Sequence, residues 1–308
     1  MDYRPCLNPE IKNGAFVRQK NRFTTPFGTN PGDLPVQAGR YRLIWCAACP
    51  WATRQMIVRS LLGLEKAISV GTVDPVRPAK PYSDWAFTLD PGGLDPVLKV
   101  PFLSDLYKRA DPAYTGRFTV PALIDLTTGQ VVNNDYFHMT YYFETQWREL
   151  HAPGAPDLYP EALGEDIKAL NEVIFHEINN GVYKAGFART QAAYEKAYAL
   201  VFKRLDWFDG RLSVQPYLFG DRLTDSDVRL WVTLVRFDVA YYNAFRLNRN
   251  RLIDFPHLWR YARALYRLPA FRENTDFEAI KTHYHRCCDP GNVHGIVPKG
   301  PDVSIWDT

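Results

Sequence analysis

Hydrophobic and polar positions divide the chain into a first part that mixes strand and helix periods and a second part that shows the helix period alone. Tyr41-Arg42-Leu43-Ile44-Trp45-Cys46 is β-branched and aromatic and reads as a strand. After the small Ala47-Ala48, apolar Met56, Ile57, Leu61 and Leu62 recur at helical spacing, which predicts a helix from Pro50 to Leu62. Pro50 suits the first helical position, where a missing N–H costs nothing, and Gly63 suits the stop. Ala67 to Val73 reads as a second strand and completes a βαβ unit. Phe118 to Leu126, a Thr127–Gln130 turn and Val131-Val132 read as a hairpin, followed by a helix over Asp135–Glu149. The expected sheet is therefore mixed, β-α-β then β-β-α.

Three stretches lack periodicity. Residues 1–39, rich in Pro, Asn and Gly, read as an extended arm with turns. Residues 74–117 read as a long irregular insertion, of a length that usually serves function. His151 to Tyr159 reads as a linker. Beyond it the expected helices cover Glu161–Asn180, Arg189–Asp209, Ser226–Ala240, Phe255–Leu268 and Phe271–Lys281, with no strand. Thr224 followed by Asp227 has the spacing of a capping box, a structural signal. The expected domains are an arm at 1–39, a mixed α/β domain at 40–150 carrying the insertion at 75–117, and an all-α domain with a C-terminal tail at 160–308.

Composition narrows the partners. A net charge of +3 over 308 residues gives no footprint for nucleic acid. No apolar run reaches membrane-spanning length, and Met1 to Glu10 has no apolar signal segment. The five cysteines, Cys6, Cys46, Cys49, Cys287 and Cys288, do not form a secreted disulfide pattern, so a reducing cytoplasm is expected. His283, His285, Cys287, Cys288 and His294 match no common zinc spacing, and no metal is expected. Gly-rich phosphate loops and a serine-hydrolase elbow are also absent from the sequence.

Chemistry concentrates at Cys49. It follows a strand and a short loop and precedes a Pro-started helix, where unpaired N–H groups and the helix dipole favour a thiolate. Cys46-Ala47-Ala48-Cys49 matches Cys-x-x-Cys only formally. In dithiol redox motifs the first cysteine opens the helix, whereas here the second does, and Ala52 stands where a resolving cysteine would. Cys46 reads as a core thiol.

Cys49-Pro50-Trp51-Ala52 with Arg54, Gly116-Arg117-Phe118-Thr119-Val120-Pro121, Asn179-Asn180-Gly181-Val182-Tyr183-Lys184-Ala185-Gly186-Phe187, Leu230 to Asp238 and the tail Gly295 to Pro301 resemble the glutathionyl-hydroquinone reductases, the Xi class of glutathione transferases. The resemblance runs nearly end to end. It implies a thioredoxin-like domain followed by an all-helical domain, and a homodimer. It also implies a cysteine thiolate, Cys49, that takes the glutathionyl group from a small aromatic substrate as a mixed disulfide, which a second glutathione resolves. By the same resemblance a cis-proline is expected at Val120-Pro121, with the Val120 backbone pairing with the cofactor's cysteinyl group. Trp85 matches a tryptophan that covers the thiol cofactor, and Tyr183 and Tyr284 match tyrosines that face the aromatic substrate. Arg117 is a candidate for orienting a carboxylate, set against a surface ion pair. Two positions depart from the family. Asp135-Tyr136 stands where it has Glu-Ser on the γ-glutamyl group, and Thr53 stands where it has His. Two alternatives therefore accompany the reductase reading: another low-molecular-weight thiol in place of glutathione, or a non-catalytic binding protein.

Overall fold

The computed structural model describes residues 10–77 and 84–308; Cys6 and part of the insertion lie outside them. The chain divides into two compact units, residues 19–156 and residues 157–308, the latter joined by residues 10–18.

In the first unit, β3 (Tyr41–Trp45) lies between β4 (Ile68–Thr72), parallel to it, and β5 (Ala122–Asp125), antiparallel to it, with β6 (Gln130–Asn133) outside β5. This is the mixed thioredoxin-like sheet expected. β3 and β5 are buried almost throughout, as the apolar runs require. The helix α1 (Pro50–Leu61) links β3 to β4. It ends at Gly63, whose φ of 69° is left-handed and where a Cβ would come within 2.3 Å of Ala152 Cβ.

The insertion is not irregular throughout. It contains α2 (Leu103–Ala110), begun where the Asp105 carboxylate accepts the Phe102 N–H. Its amphipathic Leu103, Leu106 and Tyr107 were hidden by the Pro- and Gly-rich run before them. Asp95 anchors this connection: one carboxylate oxygen accepts Nε and Nη2 of Arg42 on β3 at 3.0 and 2.8 Å, the other the N–H groups of Val97 and Leu98. Close approach of Asp95 explains Gly71 on β4, where a Cβ would lie 2.6 Å from the carboxylate oxygen. The expected helix over Asp135–Glu149 shortens to α3 (Met139–Thr145). Asp135 folds back to accept the N–H groups of Phe137 and His138, so residues 135–138 form a turn.

The arm is divided between the units. Ile11–Lys12 (β1) and Ala15–Phe16 (β2) form a small hairpin in the helical unit, where Phe16 packs against Tyr183 and Phe187. Residues 19–39 belong to the sheet unit, where Phe27 packs edge-on against Tyr41 and Trp147.

The helical unit holds α4 (Gly164–Val173), α5 (Gly181–Gly186), α6 (Gln191–Arg211), α7 (Asp225–Arg236), α8 (Tyr242–Ala244), α9 (Pro256–Tyr266), α10 (Pro269–Arg272) and α11 (Phe277–His283). Phe271–Lys281 is thus two helices, because Asp276 caps a new start by accepting the Ala279 N–H. Three stretches widen into π-helical turns: Ile174–Asn179, Phe237–Tyr241 and Tyr284–Cys288. Every residue of α7 is buried. Its capping box forms as expected: Asp227 accepts the Thr224 N–H and hydroxyl, and also the Leu218 N–H and the Tyr261 hydroxyl. Among the described residues no helix is long and apolar enough to cross a membrane.

Removing Asp95 leaves the Arg42 guanidinium buried and unpaired, so Asp95→Ala is expected to lose about 3–5 kcal/mol in urea unfolding. Burial raises the Asp227 carboxyl to about 6, against the pull of its four donors. The folded state therefore holds a proton that the unfolded state releases near 4. Stability from this group is full below pH 4 and is lost as pH rises through about 6. Asp227→Asn is expected to flatten that slope in thermal melts at pH 4 to 7.

Candidate functional site

Cys49 is the residue before α1, with φ −81° and ψ 115°, and Pro50 follows as the first helical residue. A tight turn sets it there: its N–H donates to the Cys46 carbonyl at 2.9 Å. The Cys49 carbonyl accepts the N–H groups of Ala52 and Thr53 and the Thr53 hydroxyl. Thr53 is fully buried and serves the helix start.

The antiparallel pairing of Ile44 with Ala122 brings Val120-Pro121 to the same end of the sheet as Cys49. The Val120–Pro121 bond is cis, as expected, and Cys49 Sγ lies 3.5 Å from the Val120 carbonyl oxygen. The residue before Val120 is held from α2: the Tyr107 hydroxyl donates to the Thr119 carbonyl at 2.7 Å and accepts Asn134 Nδ2 at 3.1 Å. Tyr107 is fully buried, and burial raises its phenol well above the ordinary value. Sequence reasoning missed it; its signal was the apolar face of α2.

Cys46 is wholly buried, and that burial, with the charge of Cys49 beside it, raises its thiol to about 12. Arg77 pulls weakly the other way, and its guanidinium carbon lies 3.9 Å from the centre of the Trp85 ring. Trp85 is buried in the insertion, its carbonyl accepting the Leu103 N–H. The Arg117 N–H donates to Gln19, and its carbonyl accepts the Tyr114 hydroxyl.

Tyr136 lies against the first turns of α1. Arg54 Nη2 and Gln55 Nε2 both donate to the Tyr136 carbonyl, at 2.9 and 3.2 Å. The Tyr136 ring packs on Trp51 at 4.9 Å. Asp135 Oδ2 meets His138 Nδ1 at 2.7 Å, and Oδ1 accepts Asn21 Nδ2 at 3.3 Å besides two backbone N–H groups. Burial alone would raise this carboxyl; the His138 contact and the N–H donors outweigh it and hold Asp135 below the ordinary carboxylate value.

In the helical unit Tyr183 and Tyr284 meet, hydroxyl to hydroxyl, at 2.5 Å. Tyr241, which sequence reasoning did not single out, adds a third hydroxyl 3.1 Å from that of Tyr284. Burial raises the Tyr284 phenol well above its ordinary value, with Tyr183 and Tyr241 adding to it. Phe245 stacks on Tyr241, and Arg18 lies 5.0 Å over the Tyr183 ring while donating to Asn180. Tyr183 follows one π-helical turn by a few residues, Tyr241 closes the second and Tyr284 opens the third. Such wide turns concentrate at functional sites because they re-aim side chains. Among the described residues no group of three or more His, Cys, Asp or Glu is placed to hold a metal ion.

Residues 191–264 match the family "Glutathione S-transferase, C-terminal domain". The glutathionyl-hydroquinone reductase YqjG of Escherichia coli is 40% identical over 297 residues, covering 94% of this chain and 89% of that one. Its glutathione-bound structure superposes with a TM-score of 0.83 at 40% identity, over 90% of this chain and 88% of that one. A glutathione transferase from Gordonia bronchialis is 48% identical, with a TM-score of 0.86 over 89% of this chain and 84% of that one. The Xi glutathione S-transferase of Phanerochaete chrysosporium is 41% identical, with a TM-score of 0.89 over 94% of each chain. Full-length identity at this level, on a fold that seats a cysteine before α1 against a cis-proline, leads to one conclusion: the chain belongs to the glutathionyl-hydroquinone reductases, the Xi class of glutathione transferases.

Proposed function

We propose that the protein is a thiol-dependent reductase that removes the glutathionyl group from glutathionyl-hydroquinones through a mixed disulfide on Cys49. The observation that carries this reading is Cys49 Sγ at the start of α1, 3.5 Å from the Val120 carbonyl. The Cys49 thiolate attacks the substrate's glutathionyl sulfur. The new S–S bond forms as the aryl C–S bond breaks, and the ring carbon keeps the electron pair and takes a proton. A second glutathione thiolate then attacks the glutathionyl sulfur of the mixed disulfide, releases glutathione disulfide and restores Cys49.

The residues divide the work. When Cys49 loses its proton it no longer donates to Val120, whose carbonyl is then released to accept the N–H of the cofactor's cysteinyl residue. Trp85 covers the cofactor, and Arg117 is assigned to one of its carboxylates. Tyr183 and Tyr284 act through their phenol O–H groups, which hydrogen-bond quinol oxygens and stabilise charge that spreads over the ring as sulfur departs. Cys46, raised to about 12, takes no part in exchange near neutral pH. Family membership further supports a homodimer, which light scattering tests, and a cytoplasmic location, which cell fractionation tests.

Two observations favour a second reading, the same chemistry with a different low-molecular-weight thiol. Asp135 is held by His138 and Asn21, and Tyr136 puts a ring on Trp51 where the family has a small hydroxyl. Both features reshape the part of the site assigned to the γ-glutamyl group.

Cys49→Ala is expected to lower turnover of a glutathionyl-hydroquinone at least about 10³-fold. Cys46→Ala is expected to keep most of it, and iodoacetamide at neutral pH should label Cys49 before Cys46 in peptide maps. Full turnover by Cys49→Ala would overturn the mechanism. Loss of a charge-assisted contact predicts that Asp135→Asn raises KM for glutathione about tenfold or more, with little change in kcat. An unchanged KM, with faster turnover on another thiol in a panel, would select the second reading.

A further inference from the structure

The described part of the chain carries two more cysteines that the proposed chemistry leaves unused, Cys287 and Cys288, both present as thiols. They are adjacent and form the last two residues of the π-helical turn Tyr284–Cys288. Cys287 is buried, Cys288 is partly exposed, and Cys288 Sγ lies 3.4 Å from His283 Nε2. The helical path stops directly after them, with Asp289 extended at φ −92° and ψ 104°. The same short turn opens with Tyr284, whose hydroxyl holds those of Tyr183 and Tyr241.

Adjacent Cα atoms are 3.8 Å apart across a trans peptide, closer than the 4.4–6.8 Å that disulfides usually span. Neighbouring helical side chains also point away from each other. A bond between these two sulfurs therefore requires the backbone to leave the π-helical path. It would be readily reduced, as strained disulfides are.

We propose that Cys287 and Cys288 form a reversible vicinal disulfide that unwinds the Tyr284–Cys288 turn and withdraws Tyr284 from the tyrosine cluster. The oxidant is a low-molecular-weight disulfide of the kind the proposed reaction releases, and to that extent the inference rests on that reading. Cys288 gives its proton to His283, and its thiolate attacks one sulfur of the disulfide. A mixed disulfide forms, and the departing thiolate takes the proton from His283. Cys287 then loses its proton to solvent, its thiolate attacks the Cys288 sulfur, and the second small thiolate leaves and takes a proton from solvent. Two protein thiols are oxidised and one small disulfide is reduced to two thiols. An excess of reduced thiol runs the sequence backwards. Product accumulation thereby reduces the activity that makes it.

The test uses the full chain carrying Cys49→Ala, equilibrated in glutathione pools from fully reduced to fully oxidised. In the oxidised pool the peptide with Cys287 and Cys288 is expected to lose two hydrogens by mass spectrometry, and near-ultraviolet circular dichroism to lose tyrosine signal, both restored by dithiothreitol. With Cys287→Ala added, the peptide should instead stop at one glutathionyl adduct on Cys288. In the chain with Cys49 intact and reduced glutathione held at one fixed concentration as co-substrate, added glutathione disulfide should lower turnover at least fivefold, whereas Cys288→Ser should keep it, which separates this effect from product binding at Cys49. A peptide that stays a dithiol, or a disulfide that leaves the tyrosine signal unchanged, would overturn the proposal. If no glutathionyl-hydroquinone is turned over, the reductase reading fails, while the mass and dichroism results still decide the switch.

Discussion

The register between β3 and β5 is the constraint on which the sheet unit's chemistry depends. Ile44 pairs with Ala122, so the chain leaving β3 toward Cys49 and the chain entering β5 through Val120-Pro121 reach the same end of the sheet. Backbone hydrogen bonds alone do not choose this register. A one-residue slip would exchange the two faces of the shifted strand, and because both faces of β3 and β5 are packed, every side chain on it would lose its fit. The Cys46–Cys49 turn and Pro50 then convert the register into a position for one sulfur. Most of what surrounds Cys49 serves to hold this junction: Thr53 on the Cys49 carbonyl, Tyr107 on Thr119, and Arg54 and Gln55 on the chain after β6.

The helical unit solves a different problem. Three phenols must be buried together, and each hydroxyl needs a partner or costs its desolvation. Tyr183 stands on α5, whereas Tyr241 and Tyr284 stand in π-helical turns. The π-helical turns shift the side chains locally, and the hydroxyls satisfy one another in a chain from Tyr183 through Tyr284 to Tyr241.

The strand, loop and Pro-started helix around Cys49 were legible because each rests on local rules: alternation, a small-residue loop, and proline at the first helical position. The capping box at Thr224 was legible for the same reason. What escaped depends on distant partners. The helix α2 was masked by turn residues before it, although its apolar face holds Thr119. Tyr241 was one of 18 tyrosines until the fold brought its hydroxyl to Tyr284. The π-helical turns follow the same apolar spacing as α-helix over a few residues, so periodicity does not separate them. Asp135 was read as a carboxylate for a ligand, and only the fold shows it turned onto His138 and its own backbone.

The division of the N-terminal arm bears on how the chain is made. Phe16 belongs to a core completed by Tyr183 and Phe187, whereas the residues that follow it, from Gln19, belong to the sheet unit. A ribosome delivers Phe16 first and its partners much later. The whole sheet unit is made in between. Phe16 gains these ring partners only once Tyr183 and Phe187 have been made.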